Sequence, residues 1–318
     1  RDAETVAKLN GVSLDDLERC LAAGRKKLLV VRAGRVPPMR DDKILSAWNG
    51  LMIAAMARGF RVLDEPRYRD SAVRAAEFVL KHLRRQDGRL LRTYRAGKAH
   101  TLGYLNDHAF LIEGLLNLYE TTGEPRWLNE AVALNDDLRA YFADEAGGYF
   151  FTARDAEKLL VRNKDASDGA IPSGNSVQLM NLLRLAVLLD DKKAGEQAEK
   201  LMRCFAGTVQ RSVFAAERML AAVDFHHRRP REIAFVVPPD RKGLAELEAA
   251  LWKKYVPNKV VAFLPYGSAQ AAALQKQIPL LAGKTPLDGR TTVYVCENFA
   301  CQAPTVDPDV FVKQLHGS

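Results

Sequence analysis

Apolar residues recur at helical spacing in several long runs of this chain, and three of those runs open alike. "LSAWNGLMIAAMARGF" from Leu45, "GYLNDHAFLIEGLLNLY" from Gly103 and "IPSGNSVQLMNLLRLAVLL" from Ile171 each put Asn, Asp, His or Ser in a first turn, then continue apolar. The markers Asn49, Asp107 and Asn175 stand 58 and 68 residues apart, counted along the sequence (107 − 49, 175 − 107). That period suits a helical hairpin plus a connecting loop, and stacked hairpins would gather their polar starts at one rim.

The pattern around these runs predicts the remaining elements. Ser13 followed by Asp16 gives a helix start, and Leu14, Leu17, Leu21 and Leu28 carry an apolar stripe to about Val31. The first recurring helix is expected from about Asp42 to Leu63, broken by Glu65-Pro66, with a partner over Arg67 to Arg85. "QDGRLLRTYRAG" reads as a turn and a short strand pair. The second unit repeats this order: a helix from about Tyr104 to Thr122-Gly123, a partner reaching Phe142, and a strand pair in "GGYFFTARDAEKLLVR". The third opens at Ser173, stops at Asp190-Asp191, pairs with Ala194 to Arg211 and is followed by a helix over Val213 to Val223. A mainly α fold follows, a partial or complete α/α toroid of helical hairpins over residues 1–229. Beyond Pro230 the texture changes: "REIAFVVPP", "KVVAFLPY" and "TTVYVCENF" read as strands, with a helix over Gly243 to Lys254. Strand–helix–strand units prefer a parallel, right-handed crossover, so residues 230–318 are expected to form a small α/β segment. "PPDRKG" there lacks a glycine-rich phosphate cradle.

Composition narrows the function classes. The 318 residues are 47% hydrophobic and 27% charged, which supports a packed core. No run of eighteen uncharged apolar residues is present, so the sequence predicts no membrane-spanning helix. The opening "RDAETVAKLNGVSLDDLER" has neither signal-peptide grammar nor an initiator Met, and reads as an internal start in a longer protein. Net charge is +8, but the basic clusters (Arg25-Lys26-Lys27, Lys81 with Arg84 and Arg85, Arg228-Arg229 with Arg231) sit at helix ends and in loops with acids between them. They read as solvated surface and not as a nucleic-acid footprint. Four cysteines argue against a disulfide framework and point to a reducing, cytoplasmic setting. Cys296 and Cys301 lack the C-x-x-C spacing of a redox pair; structural thiols are the favoured reading, with a disulfide or a weak metal pair as alternatives.

Candidate chemistry clusters at the three helix starts. Asp42 and Lys43 precede the first, and Trp48 and Asn49 could offer a sugar an aromatic plate and an amide. Gly50 inside a helix costs about 1 kcal/mol relative to Ala, which points to close packing or access. Tyr104, Asn106, Asp107 and His108 form the densest polar group; an acid and a His suit proton transfer near neutral pH. Adjacent helix positions do not face each other, so a partner for His108 must come from another hairpin. Asp168, Ser173 and Asn175 supply the third group, although Ser173 can equally cap its helix. No zinc spacing occurs around His226-His227, and no metal or other cofactor is expected.

The strings "DDKILSAWNGLMIAA", "DGRLLRTYRAG", "GYLNDHAFLIEGLLNLYE", "GGYFFTARD", "DGAIPSGNSV", "MLAAVDF" and "VCENFACQAP" together resemble the C-terminal part of the spermatogenesis-associated, YyaL-like thioredoxin-domain family. The resemblance implies an (α/α)6 toroid similar to N-acylglucosamine 2-epimerases and six-hairpin glycosidases, preceded by upstream helices and a thioredoxin-like domain. The family's usual second string is closer to Y-L-D/E-D-Y-A-F; here Asn106 replaces the first carboxylate and His108 the tyrosine, while Asp107 is retained. The expectation is a carbohydrate-directed protein of epimerase or isomerase type, with Asp107 and His108 as acid and base. The remaining candidates (Asp42, Lys43, Trp48, Asn49, Tyr104, Asn106, Asp168, Ser173, Asn175) would contact a sugar or sugar-derived ligand. A non-catalytic scaffold partnered with the thioredoxin-like domain and a glycoside hydrolase are the rivals.

Overall fold

The computed structural model describes residues 1–298 and 300–316, in two compact units, 1–42 and 43–318. The first holds α1 (Ala3–Asn10) and α2 (Leu14–Ala33), the latter capped as expected by Ser13, whose Oγ accepts from the Asp16 N–H at 3.1 Å. None of the residues of α2 is buried; Leu21 and Leu28 of its stripe stand exposed.

The second unit opens with β1 (Ile44–Leu45) and α3 (Ser46–Leu63). The predicted start at Asp42 is therefore early by four residues: Ile44 and Leu45 pair with Tyr94 and Thr93, which takes them out of the helix. Then come α4 (Pro66–His82), the hairpin β2 (Leu91–Arg95) and β3 (Lys98–Leu102), α5 (Leu105–Thr122), α6 (Pro125–Tyr141), α7 (Gly174–Leu189) and α8 (Lys192–Arg211). Pro at the first position of α4 and of α6 starts each partner helix where the missing N–H costs nothing. The predicted helix over Val213 to Val223 is instead a 3-10 turn at Val213–Ala215 followed by α9 (Glu217–His227).

Helices α3, α5, α7 and α9 form a neighbouring inner row, with α4, α6 and α8 packed behind α3, α5 and α7. Glycine sets the closest approach: a Cβ on Gly50 would lie 2.4 Å from the Phe110 carbonyl carbon, and one on Gly114 would lie 2.8 Å from the Gly50 oxygen. The glycine that the sequence marks as costly is thus a backbone contact point between α3 and α5. The row continues through the Asn181 side chain of α7, which donates to the Ala109 carbonyl of α5 at 2.8 Å.

The loop from α6 to α7 corrects a third expectation, since "GGYFFTARDAEKLLVR" forms no strand pair. The Asn175 amide takes both the N–H and the C=O of Tyr149, at 2.9 and 3.0 Å, the groups a strand partner would use. Tyr149 makes an isolated bridge instead to Ala143, upstream of the string in which the pair was expected.

Residues beyond 230 form β4 (Arg231–Val237), α10 (Leu244–Trp252), β5 (Lys259–Pro265), α11 (Ala271–Gln277), β6 (Thr292–Glu297), β7 (Ala300–Cys301) and α12 (Pro308–His316). The sheet order is β5-β4-β6-β7, with β4 and β5 parallel across α10 and β6 antiparallel to β4. Phe299, within the third predicted strand run, lies outside the described residues. The antiparallel register sets Cys296 opposite Cys301, and the two are joined by a disulfide, which replaces the favoured reading of structural thiols. Val236, Val260, Ala262 and Leu264 share one apolar core with Leu182, Leu185 and Tyr119 of the hairpins. Among the described residues no helix is long and apolar enough to cross a membrane.

Candidate functional site

The starts of α3, α5 and α7 do meet at one rim. Asp107 joins the first two: its Oδ1 accepts from the Ala47 N–H at 3.0 Å, and its Oδ2 from the Tyr104 N–H at 2.8 Å. Arg92 approaches the same carboxylate at 3.4 Å while lying over the Tyr104 ring. Asn106 adjoins Gly174, where an added Cβ would meet Asn106 Oδ1 at 2.4 Å. This is a carboxylate at the third helical position reaching back to its own helix start, extended across to a neighbouring helix.

Most marker residues are occupied in holding this rim. Burial raises the Asp107 pKa, opposed by its hydrogen bonds to Tyr104 and Ala47 and by Arg92. His108 is fully buried, donates from Nδ1 to the Tyr104 carbonyl at 2.9 Å, and leaves Nε2 without a partner beside the Phe142 ring. Burial drives its pKa down to about 4, so it is neutral at physiological pH. Asn175 closes the α6–α7 loop, adding a bond to the Asp165 carbonyl at 2.9 Å. Ser173 caps α7 by accepting from the Ser176 N–H at 3.0 Å. Asp168 accepts from the backbone N–H groups of Ser173 and Arg218, both at 2.8 Å. Asn49 turns back on the Leu45 carbonyl.

The other candidates are placed differently. Trp48 is 62% exposed on the first turn of α3. Tyr104 stacks obliquely on Phe151, with ring centroids 4.8 Å apart. Lys43 is exposed ahead of β1, and Asp42 ends the first compact unit, exposed as well. Between the starts of α5 and α7 lies a cavity of about 290 Å³, with Asn106, Asn163, Asp165, Ser167 and Ser173 as its polar wall and Phe151 as its aromatic one. Of the sequence candidates it collects Asn106 and Ser173; Trp48, Asp107, His108 and Asn175 do not line it.

A larger cavity, about 580 Å³, opens toward the other ends of these helices, against the segment linking α10 to β5. Its wall is cationic. Arg58 and Arg218 both donate to Oε1 of Glu113, Arg58 at 2.6 Å. Glu120 receives Arg61 at 3.0 Å and Arg184 at 2.9 Å. Asn117 Oδ1 accepts from Arg58 and Arg61 at 3.1 and 2.8 Å. Burial would raise the pKa of Glu113 and Glu120, but the facing arginines outweigh it and hold both below the usual carboxylate range. Burial also lowers Arg61 to about 10 and Lys259 to about 8, the lysine under added pressure from neighbouring arginines. Trp252 lies under both heads, 4.5 Å from Arg61 and 5.3 Å from Lys259. Sequence reasoning passed over this group, although the signal was there. Glu113, Asn117 and Glu120 stand at i, i+4 and i+7 of a helix otherwise apolar all round, a polar stripe on a buried element.

An inner row of helices with outer partners and a small α/β segment makes this a protein of the α/α-toroid class, mainly helical. No family model matches the sequence. The chain is 34% identical over 325 residues to human spermatogenesis-associated protein 20, across 98% of this chain and 41% of that protein. The chain therefore belongs to the spermatogenesis-associated protein 20 family, and it spans about two fifths of the length of the curated relatives it matches. Among solved structures it is similar to the cellobiose 2-epimerase of Bacillus thermoamylovorans, at 16% identity and TM-score 0.46, covering 83% of this chain and 67% of that one. It is also similar to a GH76 α-mannanase of Bacteroides thetaiotaomicron, at 16% identity and TM-score 0.45, covering 63% and 61%. The relatives' names assign no function.

Proposed function

We propose that this chain is carbohydrate-directed and that its rim cavity takes a neutral sugar. The observation that carries this is the wall of that cavity, which sets an aromatic ring among two amides, a carboxylate and two hydroxyls. A sugar presents an apolar C–H face and a ring of hydroxyls, so it needs both kinds of surface at once. Asp107 and His108 serve this site as positioning residues: both have zero exposure, and the Asp107 oxygens are engaged by backbone N–H groups. Proton transfer at a sugar carbon, the epimerase or isomerase reading, requires a group on the cavity wall. Asp165 is the carboxylate that the wall offers.

A panel of mono- and disaccharides screened by thermal shift tests the reading. At least one sugar should raise the melting temperature, since a ligand at one hundred times its Kd adds about 2.7 kcal/mol. Asn106→Ala and Asp165→Asn should each weaken that ligand tenfold or more. Deuterium uptake from solvent into the bound sugar, lost in Asp165→Asn, would mark isomerisation. A panel without a single shift ends the carbohydrate reading and favours the scaffold.

A further inference from the structure

The cationic cavity asks for a separate explanation. Five cationic heads (Arg58, Arg61, Arg184, Arg218 and Lys259) gather around two carboxylates, Glu113 and Glu120, so three positive charges have no acidic counterpart in the cluster. Asp224, also on the wall, is engaged by Arg228 and Asn258 at 2.8 Å each. Gathering like charges in a half-buried space is costly, and a buried ion pair gives little net stability against apolar packing. Helix dipoles do not account for the gathering. They favour cations only in a last turn, which fits Arg61 alone, whereas Arg58 and Arg184 precede their helix ends by five residues and Arg218 stands in the first turn of α9. An anionic occupant would account for it.

We propose that this cavity binds a phosphate-bearing small molecule, its phosphate met by the guanidinium groups of Arg58 and Arg218 and its organic body lying along Trp252. The two arginines already share one oxygen of Glu113, so their heads are adjacent, and both side chains keep exposure to the cavity. A guanidinium has five N–H donors in a planar fork that matches phosphate oxygens in pairs. Glu113 and Asn117 hold the forks in place before a ligand arrives. The volume, about 580 Å³, exceeds what a bare phosphate needs and suits a metabolite-sized body. Lys259, whose Nζ donates to the Val256 carbonyl at 2.6 Å, adds a third cation at the Trp252 side. The proposal is independent of the rim reading, since none of the residues is shared.

Calorimetry on the 318-residue chain at constant ionic strength tests it, with inorganic phosphate, glucose 6-phosphate, glucose and citrate as probes. Glucose 6-phosphate should bind at least tenfold more tightly than glucose, with phosphate competing. Arg58→Gln and Arg218→Gln should each weaken it tenfold or more, while Arg203→Gln on the outer surface of α8 leaves it unchanged. A second reading uses the unaltered protein: acylation of Lys259 by an amine reagent, followed by mass spectrometry, should slow at least fivefold with glucose 6-phosphate and not with glucose. Equal affinity for glucose and its phosphate, citrate binding without phosphate binding, or unchanged Lys259 acylation would each overturn the proposal.

Discussion

His108 gives its Nδ1 proton to the Tyr104 carbonyl and buries the rest of its ring, and this has a consequence in acid. The unfolded chain takes up a proton there near pH 6.5, whereas the native one does so near 4. Native stability is therefore complete above about pH 6.5 and falls as the pH drops through that window, by about 2 kcal/mol at pH 5. Asp107, whose pKa burial raises, acts with the opposite sign, because the native state then binds its proton first. Urea midpoints near pH 7 and pH 5 should converge in His108→Phe relative to the unsubstituted chain; equal slopes in the two proteins would mean that the ring is not held neutral. The same geometry shows why chemistry was hard to read here. An Asp and a His in a helix's first turn look alike whether they face a substrate or a backbone N–H, and sequence does not say which.

At the scale of elements, hairpins are held together by contact between main chains. Gly50 and Gly114 bring α3 and α5 so close that a methyl group has no room at either site. Gly50→Ala gains about 1 kcal/mol of helix propensity but drives a carbon into the α5 backbone, and the net loss should be at least about 2 kcal/mol. Gly195→Ala in α8, where an added Cβ would meet nothing within 4 Å beyond its own stretch of helix, should be neutral or stabilising by up to about 1 kcal/mol. Equal melting temperatures for the two variants would show that α3 and α5 are free to move apart. Helix order and the parallel β4–α10–β5 unit were legible because hydrophobic period, Pro starts and Gly or Asp stops are local signals. The strand pair after α6 was misread because its decisive partner, Asn175, is 26 residues away from Tyr149.

At the scale of the whole molecule, one face of β4 and β5 shares an apolar core with the hairpins, and the Phe263 N–H of β5 donates to the Tyr119 hydroxyl of α5 at 3.4 Å. A fragment ending at Arg229 would bare the hairpin side of that core. It should lose the near-ultraviolet dichroism of the intact chain and unfold without a sharp urea transition; a sharp transition with an undiminished slope would show that the hairpins stand alone. The sequence by itself determined the helical hairpins, the α/β segment and the family resemblance, because periodicity, capping and turn chemistry act over a few residues. It also placed the polar helix starts at one rim, since hairpins of similar length return the chain to the same level. Only the tertiary structure decided which of those polar groups meet a cavity and which meet a backbone, and only it revealed the arginine cluster. That cluster draws on α3, α5, α7, α9 and β5; the polar stripe of α5 marks its acidic share, but nothing in any one element tells which cations the fold will bring to it.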